Sequence, residues 1–454
     1  MARMLGRRAV VIGGSLSGLM TARVLADHFD QVTILERDHI EDNPNNHKSV
    51  PQADHLHVLL LGGRQVMSSL YPDFTDKLDA LGAVRYRAGV GNAFYLPDGK
   101  AYNRFGTVKR PYDLGFDVYS QSRGLLEHCV RRCTLEIPNI SVRYGCSVQS
   151  LMYGNARVQG VSFDCPGGAD TLAADLVVDS GGRGSRASRW VQDLGFRAPK
   201  KTSIGVDFGY SSTKFRIPNH YDEPERFLNF IGPAPDYTKG ALMEEIEDKT
   251  WHLTLFGRFG EYPPSDPSGF YAFARSIHTP KLYELIKDAE RVAEIVQYRF
   301  PTSVLRRYEE LTDFPEGFIV LGDAICSFNP IYAQGMSSAA LQVRELKQLL
   351  MERAAGSDGL ERLPCAFCAK AAEVVATPWA LAARSDFAYP LTKGDRPPDD
   401  PKRRRYFDAL IALAAEDMEV YKLMAEVFHL SQPLSALSEE PLRSRVEART
   451  RNTG

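Results

Sequence analysis

The residues best suited to chemistry in this sequence are glycines and acids at the ends of apolar runs. Gly13-Gly14-Ser15-Leu16-Ser17-Gly18 follows the run Ala9-Val10-Val11-Ile12 and opens a helical pattern. Gly13 permits a tight strand-to-helix turn, Gly18 lets helix and strand approach, and the first N–H groups of the helix converge where a pyrophosphate could sit. Ser15 stands where GxGxxG has its middle glycine, and its small hydroxyl still lets the backbone near a phosphate. A second strand over 32–35 ends at Glu36, the usual distance for an acid that holds a ribose hydroxyl. A second glycine cluster, Ser180-Gly181-Gly182-Arg183-Gly184-Ser185, follows the apolar run Leu176-Val177-Val178-Asp179, so the chain returns to the same ligand. The third apolar run, Phe318-Ile319-Val320-Leu321, leads into Gly322-Asp323-Ala324, then Asn329-Pro330, then Gln334-Gly335-Met336 at a helix start. Asp323 can bind a sugar-like hydroxyl chain, and that helix N-terminus can face an electron-rich ring.

Other candidates leave alternatives open. Arg123, near the start of a helix, could meet a phosphate or be a solvated charge. His55 and His57 could ligate metal, but no carboxylate or third histidine lies at useful spacing, which favours hydrogen bonding in a cofactor-facing loop. Cys365 and Cys368 form a lone CxxC without a second pair, read as two helix cysteines rather than a zinc or redox site. An odd total of seven scattered cysteines implies reduced thiols in a cytoplasmic protein.

The elements that must position these groups follow from periodicity. Helices are expected over 58–70, 119–133 (opening at Ser120 or Ser122), 190–195, 270–274, 281–289, 337–353 and 356–385. Residues 84–105 read as a hairpin around Pro97-Asp98-Gly99. Strands are expected over 141–144, 148–152 and 158–163, then over 204–215, 226–231, 240–247, 250–259 and 297–301 as a mostly antiparallel sheet. Its aromatics Tyr210, Phe215, Phe227, Phe230, Trp251 and Phe256 offer an apolar wall, with Tyr210, Phe230 and Phe256 as the candidate substrate contacts. Residues 393–405 read as a charged linker, and 406–430 as an amphipathic helix docked on the protein's own body or lying on a membrane surface. The tail beyond Pro433 is expected to be loose.

The whole has 454 residues, 44% hydrophobic and 25% charged, which fits a globular protein of two or three domains. A net charge of −2 supplies no basic surplus, so no nucleic-acid partner is expected. The basic start MARMLGRR meets an apolar run of only four residues before Gly13, too short for a secretory leader, and no transmembrane segment is expected.

In this order, the three signatures resemble the glutathione-reductase-type flavoprotein fold of the aromatic-hydroxylase (group A) monooxygenases. The segments KSVPQADHLHVLL, LVVDSGGRGSRASRWVQDLGF, FPEGFIVLGDAICSFNPIYAQGMSSAA and SDFAYP bring the chain nearer to the flavin epoxidases of polyether-antibiotic pathways, of the lasalocid and monensin type. The resemblance implies an α/β fold: a Rossmann-like FAD-binding domain with an inserted antiparallel-sheet substrate domain and a C-terminal helical segment. It divides the chain into FAD-binding parts at 1–75, 111–195 and 301–355, a substrate-domain hairpin at 76–110, a substrate sheet at 196–300 and a helical region at 356–454. It also implies that Gly13, Gly14, Ser15, Ser17 and Gly18 cradle the FAD pyrophosphate, Glu36 holds the adenosine ribose, Arg123 meets the phosphates and Asp323 holds the ribityl chain. Pro330, Gly335 and Met336 would lie against the isoalloxazine, and Arg37, Lys48, Gln52 and Val148 would complete the cofactor site.

The implied activity is insertion of one oxygen from O2 through a hydroperoxide on flavin C4a, with no protein residue assigned as catalytic and no metal. Electrons would come from NADPH, NADH or reduced flavin supplied by a separate reductase. The substrate is expected to be an apolar polyketide or terpenoid alkene of secondary metabolism. Aromatic-ring hydroxylation, oxygen-independent reduction of prenyl chains and flavin binding without turnover are the alternatives. Three widely spaced tryptophans, Trp190, Trp251 and Trp379, lack the Trp-x-Trp-x-Ile-Pro run of a flavin halogenase, and Gly62-Gly63 does not make the second GxGxxG of a Baeyer–Villiger enzyme. The chain departs from the hydroxylases at Asp179-Ser-Gly-Gly-Arg, where Asp-Gly is usual, at Cys326, where a histidine is common, and at Ala333-Gln-Gly335 in place of Gly-Gln-Gly.

Overall fold

Three runs of valine and isoleucine, too apolar to face water on either side, build the centre of the protein. In the computed structural model, which describes residues 3–40, 54–97, 100–102, 112–217 and 223–452, they lie side by side in a five-stranded parallel sheet. Its order is Phe318–Val320, Leu176–Asp179, Gly6–Ile12, Phe29–Glu36, Ile140–Tyr144. Val10, Val11, Ile34, Val177, Val178 and Ile319 are fully buried, as strands covered on both faces must be. Helix Leu16–Leu25 packs against both Gly335–Ala355 and Arg123–Leu135, and Leu363–Asp386 runs along Gly335–Ala355. The carboxyl ends of Gly6–Ile12, Leu176–Asp179 and Phe318–Val320 therefore open at one edge, each followed by its glycine turn.

The second layer is an eight-stranded, mostly antiparallel sheet that includes Phe208–Arg216, Thr250–Arg258, Lys239–Ile246 and Phe227–Ile231. Register separates its two faces. Tyr210 pairs with Phe256, Phe256 with Gly240 and Gly240 with Ile231; one residue along, Ser211, Leu255, Ala241 and Phe230 form the next rung. Successive rungs point to opposite faces. The Phe230 face packs beneath helices Pro267–Arg275 and Lys281–Ile286, in a core with Phe215, Trp251, Phe270 and Leu282. Phe230 is fully buried there and stacks on Tyr95, so it does not share a face with Tyr210 and Phe256 as expected.

Other expectations need correction. The stretch 204–215 is two strands, Lys200–Gly205 and Phe208–Arg216, broken at Asp207, whose φ of +41° turns the chain from one sheet to another. The 84–105 hairpin is divided between sheets: Val84–Arg87 pairs with Asp117–Ser120, while Asn92–Tyr95 pairs with Ala101–Tyr102 and, in parallel, with Phe227–Ile231. Cys146 and Cys165 are joined in a disulfide rather than reduced, because two antiparallel strands, Ser147–Gly154 and Arg157–Cys165, bring their Cα atoms to 4.4 Å. Cys365 and Cys368 do lie on one helix, Leu363–Asp386. That helix is also long and apolar enough to cross a membrane, contrary to expectation; its length follows from packing along the core, where Leu363, Phe367, Ala371 and Val375 are buried.

At the C-terminal end, the expected linker contributes a short strand, Lys393–Gly394, and the first turn of helix Pro401–Ala414, capped by Asp400. The amphipathic run is two helices, because Asp417 caps a new one at Met418–Phe428. Both dock on the protein's own Leu114, Phe116 and Val118. The tail is packed rather than loose: helix Leu442–Asn452 buries Val446 and pairs Arg449 with Glu416 at 2.6 Å.

Candidate functional site: a polar cleft and an apolar chamber

Around the first turn, backbone geometry decides the residue types. Gly13 has φ of +95°, and a Cβ there would stand 2.8 Å from the Ser180 carbonyl oxygen. A Cβ at Gly18 would stand 1.8 Å from the Gly13 carbonyl oxygen. Ser15, by contrast, has φ of −82°, an ordinary value, so a side chain is tolerated where the fingerprint usually has glycine. Its hydroxyl accepts from Arg123 Nη2 at 2.9 Å and donates to Glu127 at 2.8 Å instead of capping its own helix. The first N–H groups of Leu16–Leu25 thus have no side-chain cap and remain available to an anion. Behind the turn, Glu36 accepts from the Gly14 N–H at 2.6 Å and the Asp38 N–H at 2.9 Å, while burial pushes its pKa up.

The second turn is held by Asp179, fully buried, which accepts from the Gly181 N–H at 2.8 Å and from the Ser185 hydroxyl. Arg183 lies over the Phe300 ring, 4.3 Å from its centroid. At the third turn, desolvation pushes Asp323 up to about 6, opposed by the nearby Arg183, Arg123 and Arg306.

These turns enclose one cavity of about 610 Å³. Gly13, Ser15, Ser17, Glu36, Arg37, Arg123, Val148, Asp323, Pro330, Gly335 and Met336 all line it. Gly14 and Gly18 stand behind its wall, shaping the turn, and Lys48 and Gln52 lie outside the described residues. Tyr298 and Phe328 also line the cleft and were not anticipated; the only sequence signal for Tyr298 was aromatic alternation with Phe300 in the strand Val296–Phe300. Arg123 Nη1, Arg183 Nη1 and Ser180 Oγ are buried without a hydrogen-bond partner among the described residues, though all three side chains belong to the cavity wall. Two guanidinium groups each with an unmatched Nη1 (Arg123 also pairs with Glu127 at 2.6 Å), an uncapped helix N-terminus and acids at either side suit a large ligand with phosphates and hydroxyls. A flavin dinucleotide fits that donor set.

Beside the cleft lies a second, tighter chamber of about 30 Å³. Tyr210 and Phe256 line it with Phe208, Leu242, Thr254 and Ile331, while Leu56, His57 and Pro330 belong to both cavities. The two histidines hydrogen bond as expected: His57 Nδ1 donates to the His55 carbonyl at 2.7 Å, and His55 Nδ1 lies 2.7 Å from Ser212 Oγ. Burial holds both neutral, lowering His55 to about 3 and His57 to about 4. No group of three or more His, Cys, Asp or Glu arranged for a metal occurs among the described residues.

Asp386, within the SDFAYP segment, ties the two cavities together. It accepts from Arg258 at 3.0 Å, from Asn329 Nδ2 at 3.0 Å and from the Tyr332 hydroxyl at 2.7 Å. The end of a sheet strand, the turn that carries Pro330 and the end of a core helix thereby meet at one buried carboxylate.

No family model matches the chain. Protein Rv3254 of Mycobacterium tuberculosis is 32% identical to it over 453 residues, 97% of this chain and 93% of that protein. Squalene epoxidase 6 of Arabidopsis thaliana is 25% identical over 75% of this chain, which spans only 61% of that relative's length. Among solved structures, the flavin-dependent brominase Bmp2 superposes with a TM-score of 0.70 at 15% identity, covering 98% of this chain and 100% of its own. At that identity the likeness concerns the fold alone. The chain therefore belongs to one family with the mycobacterial protein, shares sequence over three quarters of its length with a squalene epoxidase, and has the fold of a flavin-dependent enzyme.

Proposed function

We infer that the protein inserts one atom of O2 into an apolar small molecule, and that the reaction is epoxidation of an alkene. The observation that carries this reading is that three distant strand ends converge on one cleft whose buried donors await an anionic partner, with an apolar chamber adjoining it at Pro330. Arg123 and the open helix N-terminus would hold the phosphates of FAD, Glu36 its adenosine ribose and Asp323 its ribityl chain. Ser17, Arg37 and Val148 would complete that site, and Pro330, Gly335 and Met336 would lie against the ring. Bound FAD supplies the redox chemistry and the activation of O2.

The chain's own residues orient the substrate and exclude water. Phe208, Tyr210, Leu242, Phe256 and Ile331 leave few polar groups beside Pro330, which limits unproductive loss of oxygen as hydrogen peroxide. Epoxidation requires no strong protein base, whereas hydroxylating a phenol gains from one. The titratable side chains lining the chamber are His55, His57 and Tyr210, and with His57 lowered to about 4 neither histidine is a strong base. This favours the epoxidase over the aromatic hydroxylase.

The test is incubation of the FAD-loaded protein with a model polyene under 18O2, with NADPH, NADH or an added flavin reductase in parallel arms. The expected product gains one labelled oxygen as an epoxide. A gain of two hydrogens without oxygen would instead identify a prenyl-chain reductase.

A further inference from the structure

His55 is 2% exposed, and its Nε2 has no hydrogen-bond partner among the described residues, although the residue lines the apolar chamber. Its ring plane is nearly perpendicular to that of Tyr210, at 81°, with centroids 4.4 Å apart. The other ring nitrogen ends a buried chain. The Leu56 N–H donates to Thr254 Oγ1 at 3.3 Å, Thr254 Oγ1 lies 2.7 Å from Ser212 Oγ, and Ser212 Oγ lies 2.7 Å from His55 Nδ1.

Counting hydrogens allows this chain two directions, each with one hydrogen unmatched. If His55 Nδ1 carried the proton, it would donate to Ser212 and Ser212 to Thr254, leaving the Thr254 hydroxyl hydrogen with no acceptor among the described residues. In the opposite sense Thr254 donates to Ser212, Ser212 donates to Nδ1, and the hydrogen left unmatched is the one on His55 Nε2. In both arrangements the unmatched hydrogen belongs to a residue of the chamber wall, Thr254 or His55, and the second puts it on His55 Nε2.

We propose that His55 selects and positions the substrate, by donating a hydrogen bond from Nε2 to an oxygen acceptor on an otherwise apolar molecule. The substrate class is then an alkene that also bears a carbonyl, ether or hydroxyl oxygen, not a plain hydrocarbon. The proposal rests on the monooxygenase reading for the identity of its ligand as a substrate. A site built to donate discriminates strongly against an analogue that lacks the acceptor, because its buried donor is left unpaired.

The experiment uses full-length, FAD-loaded protein without reductant, titrated by calorimetry with 6-methylhept-5-en-2-one and with 2-methylhept-2-ene, the same skeleton with CH2 in place of the carbonyl. FAD uptake is read separately from the visible spectrum. A chain that takes up no FAD defeats the monooxygenase reading, while the ketone titration still judges His55. The wild type is expected to bind the ketone about tenfold more tightly. Purely apolar walls would give the reverse order, since the carbonyl would lose its bonds to water. His55→Leu should reverse the preference and His55→Gln, which keeps a donor, should retain part of it. Ser212→Ala should weaken ketone binding alone, because Nδ1 is no longer held as the acceptor. If His55→Leu does not fold, the wild-type pair and Ser212→Ala decide. A wild type that binds both probes equally, prefers the hydrocarbon or fails to bind the ketone at millimolar concentration overturns the proposal, as does a folded His55→Leu protein that keeps the ketone preference.

Discussion

The polar cleft and the apolar chamber share Leu56, His57 and Pro330, yet they are built in different ways. The cleft is walled mainly by turns at the carboxyl ends of parallel strands. There the backbone supplies many of the available groups, through the uncapped N–H groups of the first turn of Leu16–Leu25 and the tight turns at Gly13 and Gly181. The chamber is walled by side chains from one face of an antiparallel sheet, and one wall residue, His55, has a buried ring nitrogen without a partner among the described residues. A cleft of the first kind suits one ligand and tolerates little change. A chamber of the second kind can be altered residue by residue while the sheet's hydrogen bonds stay intact.

The largest effects are expected where the two regions depend on common structure. Asp386→Ala leaves Arg258 as an uncompensated buried charge and should cost about 3–5 kcal/mol of stability. Thermal or denaturant unfolding measures it, and FAD affinity and ketone binding should both fall because Asn329 and Tyr332 lose their anchor. Phe230→Ala should cost a similar amount, about 3–5 kcal/mol, through the cavity it leaves in the sheet's covered face. Its ketone-to-hydrocarbon ratio should match the wild type; a changed ratio would mean that Phe230 reaches the chamber after all.

Smaller effects should separate the cleft from the chamber. Asp323→Ala is expected to weaken FAD binding by about 1.5–3 kcal/mol, as for a charge-assisted hydrogen bond. Fluorescence titration of the apoprotein reads this directly, and unchanged affinity would contradict the ribityl assignment. Ser15→Gly should alter FAD affinity least, by about 1 kcal/mol, since it removes only the hydroxyl between Arg123 and Glu127. A loss as large as that of Asp323→Ala would make the serine a principal phosphate ligand.

Much of the cleft was legible before folding was considered, because its requirements are local. Gly13 must adopt positive φ and Gly18 must lack a Cβ, and both demands are met within a few residues of chain. Ser15 has an ordinary φ, so a side chain is tolerated where the fingerprint usually has glycine. The chamber was harder to read. Tyr210, Phe256 and Phe230 have the same character, and only register assigns the first two to one face and the third to the other. The hairpin at 84–105 was legible in part: Asn92–Tyr95 and Ala101–Tyr102 do pair, but Val84–Arg87 finds its partner in Asp117–Ser120. Charge along 393–405 suggested a linker, but Asp400 and Pro401 are an N-cap and first helical residue, a local signal outweighed by composition. The Cys146–Cys165 bond was hidden because cysteine count says nothing about which strands will be neighbours.

What the amino-acid order determined alone was a set of strand-to-helix turns able to grip phosphates and hydroxyls, since turn geometry and hydrophobic runs depend on residues adjacent in the chain. The tertiary structure decided that those turns face one another, that Tyr210 and Phe256 form a wall beside them, and that Ser212 and Thr254 reach His55 from strands about 150 to 200 residues away. Pairing between distant strands sets which side chains share a face, and no spacing along a single segment encodes that choice.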